Sequence, residues 1–191
     1  MKIILYLVPT LLLLFTSCTK EEPLKVYATI SSDFTFVNQD STEITPKSLE
    51  GKMYVTDFFF TTCPSICPKM KSQMLTVYDE FKEREDLVLL SHSIDTRHDS
   101  VSVLKDYADR LGVEAEDWLF VTGEKSDIFE MAKTYMVTAY EDGNVPGGYM
   151  HSGHFILVDK KRQVRGYYDG TDAEDTKELI RDIKKLIDEQ G

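Results

Sequence analysis

The run Tyr54-Val55-Thr56-Asp57-Phe58-Phe59-Phe60-Thr61-Thr62-Cys63-Pro64-Ser65-Ile66-Cys67-Pro68 decides how the rest of the chain is read. Its first half is apolar and rich in β-branched and aromatic residues. That is the pattern of a strand buried in the middle of a sheet, expected here over 52–60. Its second half sets two cysteines four positions apart. Pro64 suits the first turn of a helix, where a missing N–H costs nothing, so a helix is expected over 64–85. Cys63 then stands at the helix start and Cys67 one turn further on. Positions i and i+4 share a face, so the two sulfurs can converge. The positive helix end and its free N–H groups favour thiolate over thiol. Cys67 heads the apolar stripe Met70, Met74, Val77, Tyr78 and Phe81, so Cys63 is expected to be the more exposed sulfur. In any exchange chemistry Cys63 is the attacked or attacking atom. A purely stapling disulfide explains the pair poorly, because a four-residue step removes little unfolded-state entropy.

Outward from this run, Phe34–Val37 and Ile44-Thr45 flank a polar turn and read as a hairpin. A strand is expected over 87–94. Asp99 reads as the N-cap of a helix carrying Val103, Leu104, Tyr107, Ala108 and Leu111, ended by Gly112. A short strand follows at Trp118–Val121. Next comes a helix over 126–137 with Ile128, Phe129, Ala132, Tyr135 and Met136 inward. Residues 140–153 read as a Gly-rich loop. Phe155–Val158 and Val164–Tyr168 form a second hairpin. The last helix opens with a capping box, Thr171-Asp172-Ala173-Glu174, and carries Leu179, Ile180, Ile183, Leu186 and Ile187 on one face. This order of strands and helices is α/β with a central sheet.

The 191 residues begin with a segment that reads as an address. Lys2 precedes an apolar run from Ile3 to Phe15, too short to span a bilayer but suited to a signal peptide. Residues 1–17 are assigned to it. The following Ser17-Cys18 resembles a bacterial lipoprotein cleavage site, which implies that Cys18 becomes the lipidated N-terminus. Residues 18–29 are then the lipidated end and tether, and 30–191 the folded domain. The tether itself, 19–26, spans about 25 Å at ~3.3 Å per residue, so the domain is expected close to a membrane, outside the cytoplasm. From Cys18 on, 174 residues remain, enough for one domain whose core needs no staples. The formal charge of −11 argues against a nucleic-acid partner.

Two thiolates and one imidazole suit copper, since soft sulfur selects Cu(I) and imidazole suits either oxidation state. Of the four histidines, His92 lies mid-strand and His98 in a polar turn at a helix entry. His151 and His154 flank the end of the Gly-rich segment, from which a ligand can reach a helix start. Position alone favours His151 by a small margin. Met70 and Met74 belong to the apolar stripe and read as core. Nothing selects Met150.

Thr62-Cys63-Pro64-Ser65-Ile66-Cys67-Pro68 resembles the T-x-C-P-x-x-C-P signature of the SCO/SenC family. Ser93-Ile94-Asp95 with Asp99 is similar to that family's S-[IV]-D-P-x-x-D-T stretch. Trp118-Leu119-Phe120-Val121-Thr122-Gly123 is similar to its W-x-F-L-T-G. His151 precedes Phe155–Asp159 as the family's ligand histidine precedes a strand. The likeness covers nearly all of 30–189. It implies a thioredoxin-like fold: a central mixed sheet flanked by helices, here with an N-terminal β-hairpin. It implies copper bound by Cys63, Cys67 and His151, with Asp95 as an acidic residue close by. It also ties the chain to assembly of cytochrome c oxidase. Two features depart from the pattern. Thr96 replaces the usual proline after Asp95, with Arg97-His98 where an acidic-basic pair is common. His154 is an additional histidine that could supply a fourth ligand or trade places with His151.

The leading expectation is a membrane-anchored copper metallochaperone. Its partners would be the copper-site subunit of a membrane oxidase or another copper chaperone. The alternative is a thiol–disulfide oxidoreductase acting on a partner's cysteines, which needs only Cys63 and Cys67. It has three residues between its cysteines where ordinary thioredoxins have two. A peroxiredoxin-like reading leaves the second proline-flanked cysteine unexplained, and a plain binding lipoprotein leaves both unexplained.

Overall fold

The structure, a computed structural model, describes residues 22–190. The signal segment and Cys18 lie outside them. Along the chain the strands are β1 (Ala28–Thr29), β2 (Phe36–Asn38), β3 (Glu43–Ile44), β4 (Met53–Phe59) and β5 (Leu87–Ser93). They continue with β6 (Trp118–Thr122), β7 (Ala139–Glu141), β8 (Tyr149–His151), β9 (His154–Val158) and β10 (Gln163–Asp169). The helices are α1 (Cys67–Phe81), α2 (Val101–Leu111), α3 (Lys125–Thr134) and α4 (Ala173–Gln190).

One eight-stranded sheet runs in the order β1-β10-β9-β4-β5-β6-β2-β3. β4 is parallel to β5, and β5 to β6, while β9 runs antiparallel to β4. The sheet is therefore mixed, and every residue of β4 and β5 is buried, as continuous apolar runs in central strands require. Helical side chains cover both faces. Lys71 of α1 reaches Asp57 on one face of β4, and Tyr135, just past α3, bonds Tyr54 on the other. The expected N-terminal hairpin is β2–β3, and the expected C-terminal one is β9–β10.

Several local expectations are corrected. The first helix begins at Cys67 and not at Pro64. A helix started at Pro64 would place Pro68 at its fifth position, where an N–H must bond the Pro64 carbonyl and proline has none to give. Starting at Cys67 puts Pro68 in the first turn, where it is harmless. Asp99 does not cap α2. Ser100 does, its Oγ accepting the Val103 N–H, with Gly112 closing the helix at φ 70°. α4 has Asp172, whose carboxylate accepts the Glu174 N–H, just before it, while Thr171 bonds back to Asp169. The capping box is thus absent. Met136 points outward at 68% exposure, because it takes the left-handed position of a Schellman turn (Val137 N–H to Ala132 O, Met136 N–H to Lys133 O). The Gly-rich loop is a hairpin, β7–β8, apart from the main sheet. Leu24 to Thr29, counted with the tether, run along the domain. Tyr27 N–H bonds Val164 O, Ala28 pairs with Val164, and Arg165 Nη2 donates to Leu24 O.

His92 of β5 is packed, as its mid-strand position suggests. Its ring stacks on Phe58 at 4.9 Å, with Phe36 edge-on at 5.4 Å. Thr56 Oγ1 donates to Leu90 O, so it accepts from His92 Nδ1 at 3.1 Å, and Nε2 is left without a partner. Burial pushes its pKa from the ordinary 6.5 down to about 4. Between these values the unfolded chain binds more protons than the folded one. The stabilisation is therefore complete above pH 6.5 and drains away as pH falls towards 4, by up to about 3 kcal/mol. Urea midpoints of the parent and His92→Leu, taken from pH 7 to pH 4.5, should show the acid-induced drop shrinking in the variant. Parallel curves would contradict this.

Candidate metal centre

The site forms at the carboxyl end of β4. Phe60 follows the strand, and its carbonyl accepts the Cys63 N–H at 3.2 Å, folding the chain into a turn. Cys63 closes this turn, Pro64 to Ile66 bend the chain on from it, and Cys67 opens α1. The sulfurs thus meet across a turn and not along one helical face. The helix end still acts on Cys63, because the backbone N–H groups of Ser65 and Cys67 point at its sulfur. Cys63 is 8% exposed and Cys67 2%, so Cys63 is the more open of two buried atoms, and both are free thiols.

His151 ends β8, opposite Ala139 of β7, and is 9% exposed. Period-two alternation turns Tyr149 and His151 inward and Met150 outward. The ring of Phe60 lies between them, 5.4 Å from Tyr149 and 6.1 Å edge-on to His151. Gly147, at φ +88°, lets the hairpin turn close over this ring, since a Cβ there would stand 2.8 Å from Phe60. His151 Nδ1 lies 3.0 Å from Ser152 O. A carbonyl only accepts, so Nδ1 donates to it, and Nε2 is the ring nitrogen that faces Cys67 Sγ, 3.2 Å away.

The ligand atoms of Cys63, Cys67 and His151 all lie within 4.8 Å of one another. Two soft sulfurs and one imidazole lone pair, converging in a buried pocket, fit a copper ion's donor preferences. The Nδ1 bond to Ser152 O fixes the ring orientation, as metal-ligating histidines usually require. The two thiols are unequal. The adjacent Cys67 thiol above all holds Cys63 well below the ordinary thiol value, helped by the His151 ring and the two backbone N–H groups, against the opposing effect of burial. Cys67 is pushed up, first by its bond to Cys63 and then by burial. The pair's first proton therefore leaves from Cys63, the atom expected to do exchange chemistry.

The remaining candidates fall outside this cluster. Asp95 accepts from Tyr149 Oη at 2.9 Å and pairs with His98 Nδ1 at 2.7 Å, so it holds the hairpin that carries His151. His154, in β9, is exposed and pairs in register with Asp169, on the side opposite the buried Phe155. The three-residue group does not include it. Met70 and Met74 are fully buried core, and Met150 is 40% exposed. Reading residues by position missed Tyr149, although Tyr149-Met150-His151 beside Gly147-Gly148 carries both signals of a hairpin strand.

Comparison with known proteins identifies the family. The SCO1/SenC family model matches residues 23–188. A SCO1/SenC family lipoprotein from Bacillus anthracis is 29% identical, with a TM-score of 0.79 over 87% of this chain and 99% of that one. BsSco, described as a member of the Sco family of cytochrome c oxidase assembly proteins with a disulfide switch, is 28% identical. Its TM-score is 0.75 over 86% of this chain and 98% of its own. Yeast Sco1 with copper bound is 25% identical, with a TM-score of 0.64 over 82% and 89% of the two chains. The thioredoxin-like expectation for the fold holds, and the chain belongs to the SCO1/SenC family.

Proposed function

We propose that this chain is a copper carrier acting outside the cytoplasm, held to a membrane by a lipid on Cys18, and serving assembly of the copper site of a cytochrome c oxidase. The observation that carries the proposal is the convergence of Cys63 Sγ, Cys67 Sγ and a ligand nitrogen of His151 within 4.8 Å. Family relatives support its parts: yeast Sco1 binds copper, BsSco belongs to the oxidase assembly proteins, and the Bacillus anthracis relative is a lipoprotein. Copper here is cargo. Cys63, Cys67 and His151 hold it, and it leaves by ligand exchange with the cysteines and histidines of a receiving subunit or of another copper chaperone. Binding needs both thiols deprotonated and Nε2 free of a proton, so affinity falls as pH is lowered.

The test is an anaerobic copper titration of the reduced protein. One ion per chain and sulfur-to-copper charge-transfer absorption are expected with Cu(II). Absence of either rejects the carrier role and leaves the alternative, thiol–disulfide exchange through Cys63.

A further inference from the structure

The turn over residues 95–99 touches both halves of the candidate centre. Asp99 is fully buried, and its carboxylate takes three donors. Oδ2 accepts the Thr61 N–H at 3.0 Å and the Ser93 hydroxyl at 2.5 Å. Oδ1 accepts the Thr61 hydroxyl at 2.5 Å. Thr61 is the second residue of the turn whose closing N–H belongs to Cys63. A carboxylate can only accept, so both Thr61 donors must face it, which fixes the backbone and side chain of Thr61 together. Four residues earlier Asp95 takes the Tyr149 hydroxyl, and Tyr149 sits two places before His151 on β8. The Asp99 N–H bonds Asp95 O at 2.9 Å, closing the short turn between the two carboxylates. A buried carboxylate is costly to desolvate. As a mere anchor for a loop, a neutral amide or hydroxyl would serve at lower cost.

We propose that Asp99 is a positioning residue: it pins the Cys63 turn to the 95–99 segment that also braces the His151 hairpin, and so sets where Cys63 stands relative to Cys67 and His151. The proposal rests on the copper-carrier reading but does not depend on it for its test. Replacing a group behind a metal ligand typically weakens binding 10–100-fold. Asp99→Ala should raise the Cu(II) dissociation constant by about that factor and shift the sulfur-to-copper absorption band. Asp99→Asn keeps an oxygen for the Thr61 N–H and should recover part of both.

A second readout needs no copper. In a glutathione buffer, the Cys63–Cys67 disulfide forms as glutathione disulfide is reduced to two glutathione molecules. With the turn loosened, that equilibrium constant should fall several-fold. Leu186→Ala, which opens a cavity under the last turns of α4, controls for general destabilisation and should move neither readout. If Asp99→Ala does not fold, Thr61→Val removes only the hydroxyl donor and should show the same two effects, smaller. Wild-type affinity, band and disulfide equilibrium in Asp99→Ala, or in Thr61→Val where that variant decides, would overturn the proposal. A parent protein that takes no copper would end the carrier reading alone, and the disulfide equilibrium would still decide the role of Asp99.

Discussion

His151→Ala should abolish tight Cu(II) binding while leaving disulfide exchange nearly intact. Loss of a group merely supporting a ligand costs 10–100-fold in affinity, so loss of the ligand itself should exceed about a hundredfold. The sulfur-to-copper band should vanish with it. The exchange chemistry draws on other groups. The low thiol value of Cys63 comes first from Cys67, with His151 contributing less and the backbone N–H groups of Ser65 and Cys67 remaining in place. Reaction of Cys63 with a small disulfide should therefore stay within a few-fold of the parent rate. The parallel variant His154→Ala should bind copper as the parent does, because that side chain is exposed and registers with Asp169. The reverse pattern, with binding kept in His151→Ala and lost in His154→Ala, would show that the ligand assignment is wrong. Loss of exchange along with copper in His151→Ala would mean that the ring serves the thiols as much as the metal.

What could be read from the chain alone divides along a physical line. β4, β5, α1 and α4 announce themselves, because burying a strand on both faces or a helix on one leaves a period in the sequence. The centre of the site was legible for a similar reason: two cysteines beside two prolines leave few alternatives. Its geometry was not. Pro64 reads as a helix opener, yet the missing N–H of Pro68 governs where α1 begins. The β7–β8 hairpin was hidden by its short strands and its Asp142–Gly148 turn, so His151 read as a loop residue. Asp99 read as a cap because a carboxylate before an apolar helix usually is one. Its real partners, Thr61 and Ser93, lie 38 and 6 residues away, and only the folded sheet brings all three together. Lys71 leaves no such trace in the sequence. One turn beyond Cys67, it stands between the apolar positions Met70 and Met74, where a cation has no local reason to be inward.

Lys71→Met should be among the most damaging substitutions outside the sulfur pair. The Lys71 ammonium is buried beneath α1, 2.8 Å from Asp57 Oδ2 and 3.0 Å from Ser91 Oγ, and 4.2 Å over the ring of Phe59. Ser91 donates in turn to Asp57 Oδ1 and accepts the Trp118 Nε1–H, so the network ties α1 to β4, β5 and β6. Both charged side chains are almost wholly removed from water. Taking away the cation leaves a buried carboxylate with one hydroxyl donor, a loss of about 3–5 kcal/mol for breaking such a pair. The urea midpoint should fall accordingly with an unchanged m-value. The pair's net worth is a separate matter, because desolvating two charges offsets most of their attraction. Asp57→Asn placed in the Lys71→Met background should therefore restore more than half of the lost stability, giving a coupling of at least about 1.5 kcal/mol in the double-mutant cycle. A Lys71→Met chain within about 1 kcal/mol of the parent would show that water or a shifted side chain compensates Asp57. Additive losses in the double variant would show that the two residues stabilise the fold independently, through packing and not through their charges.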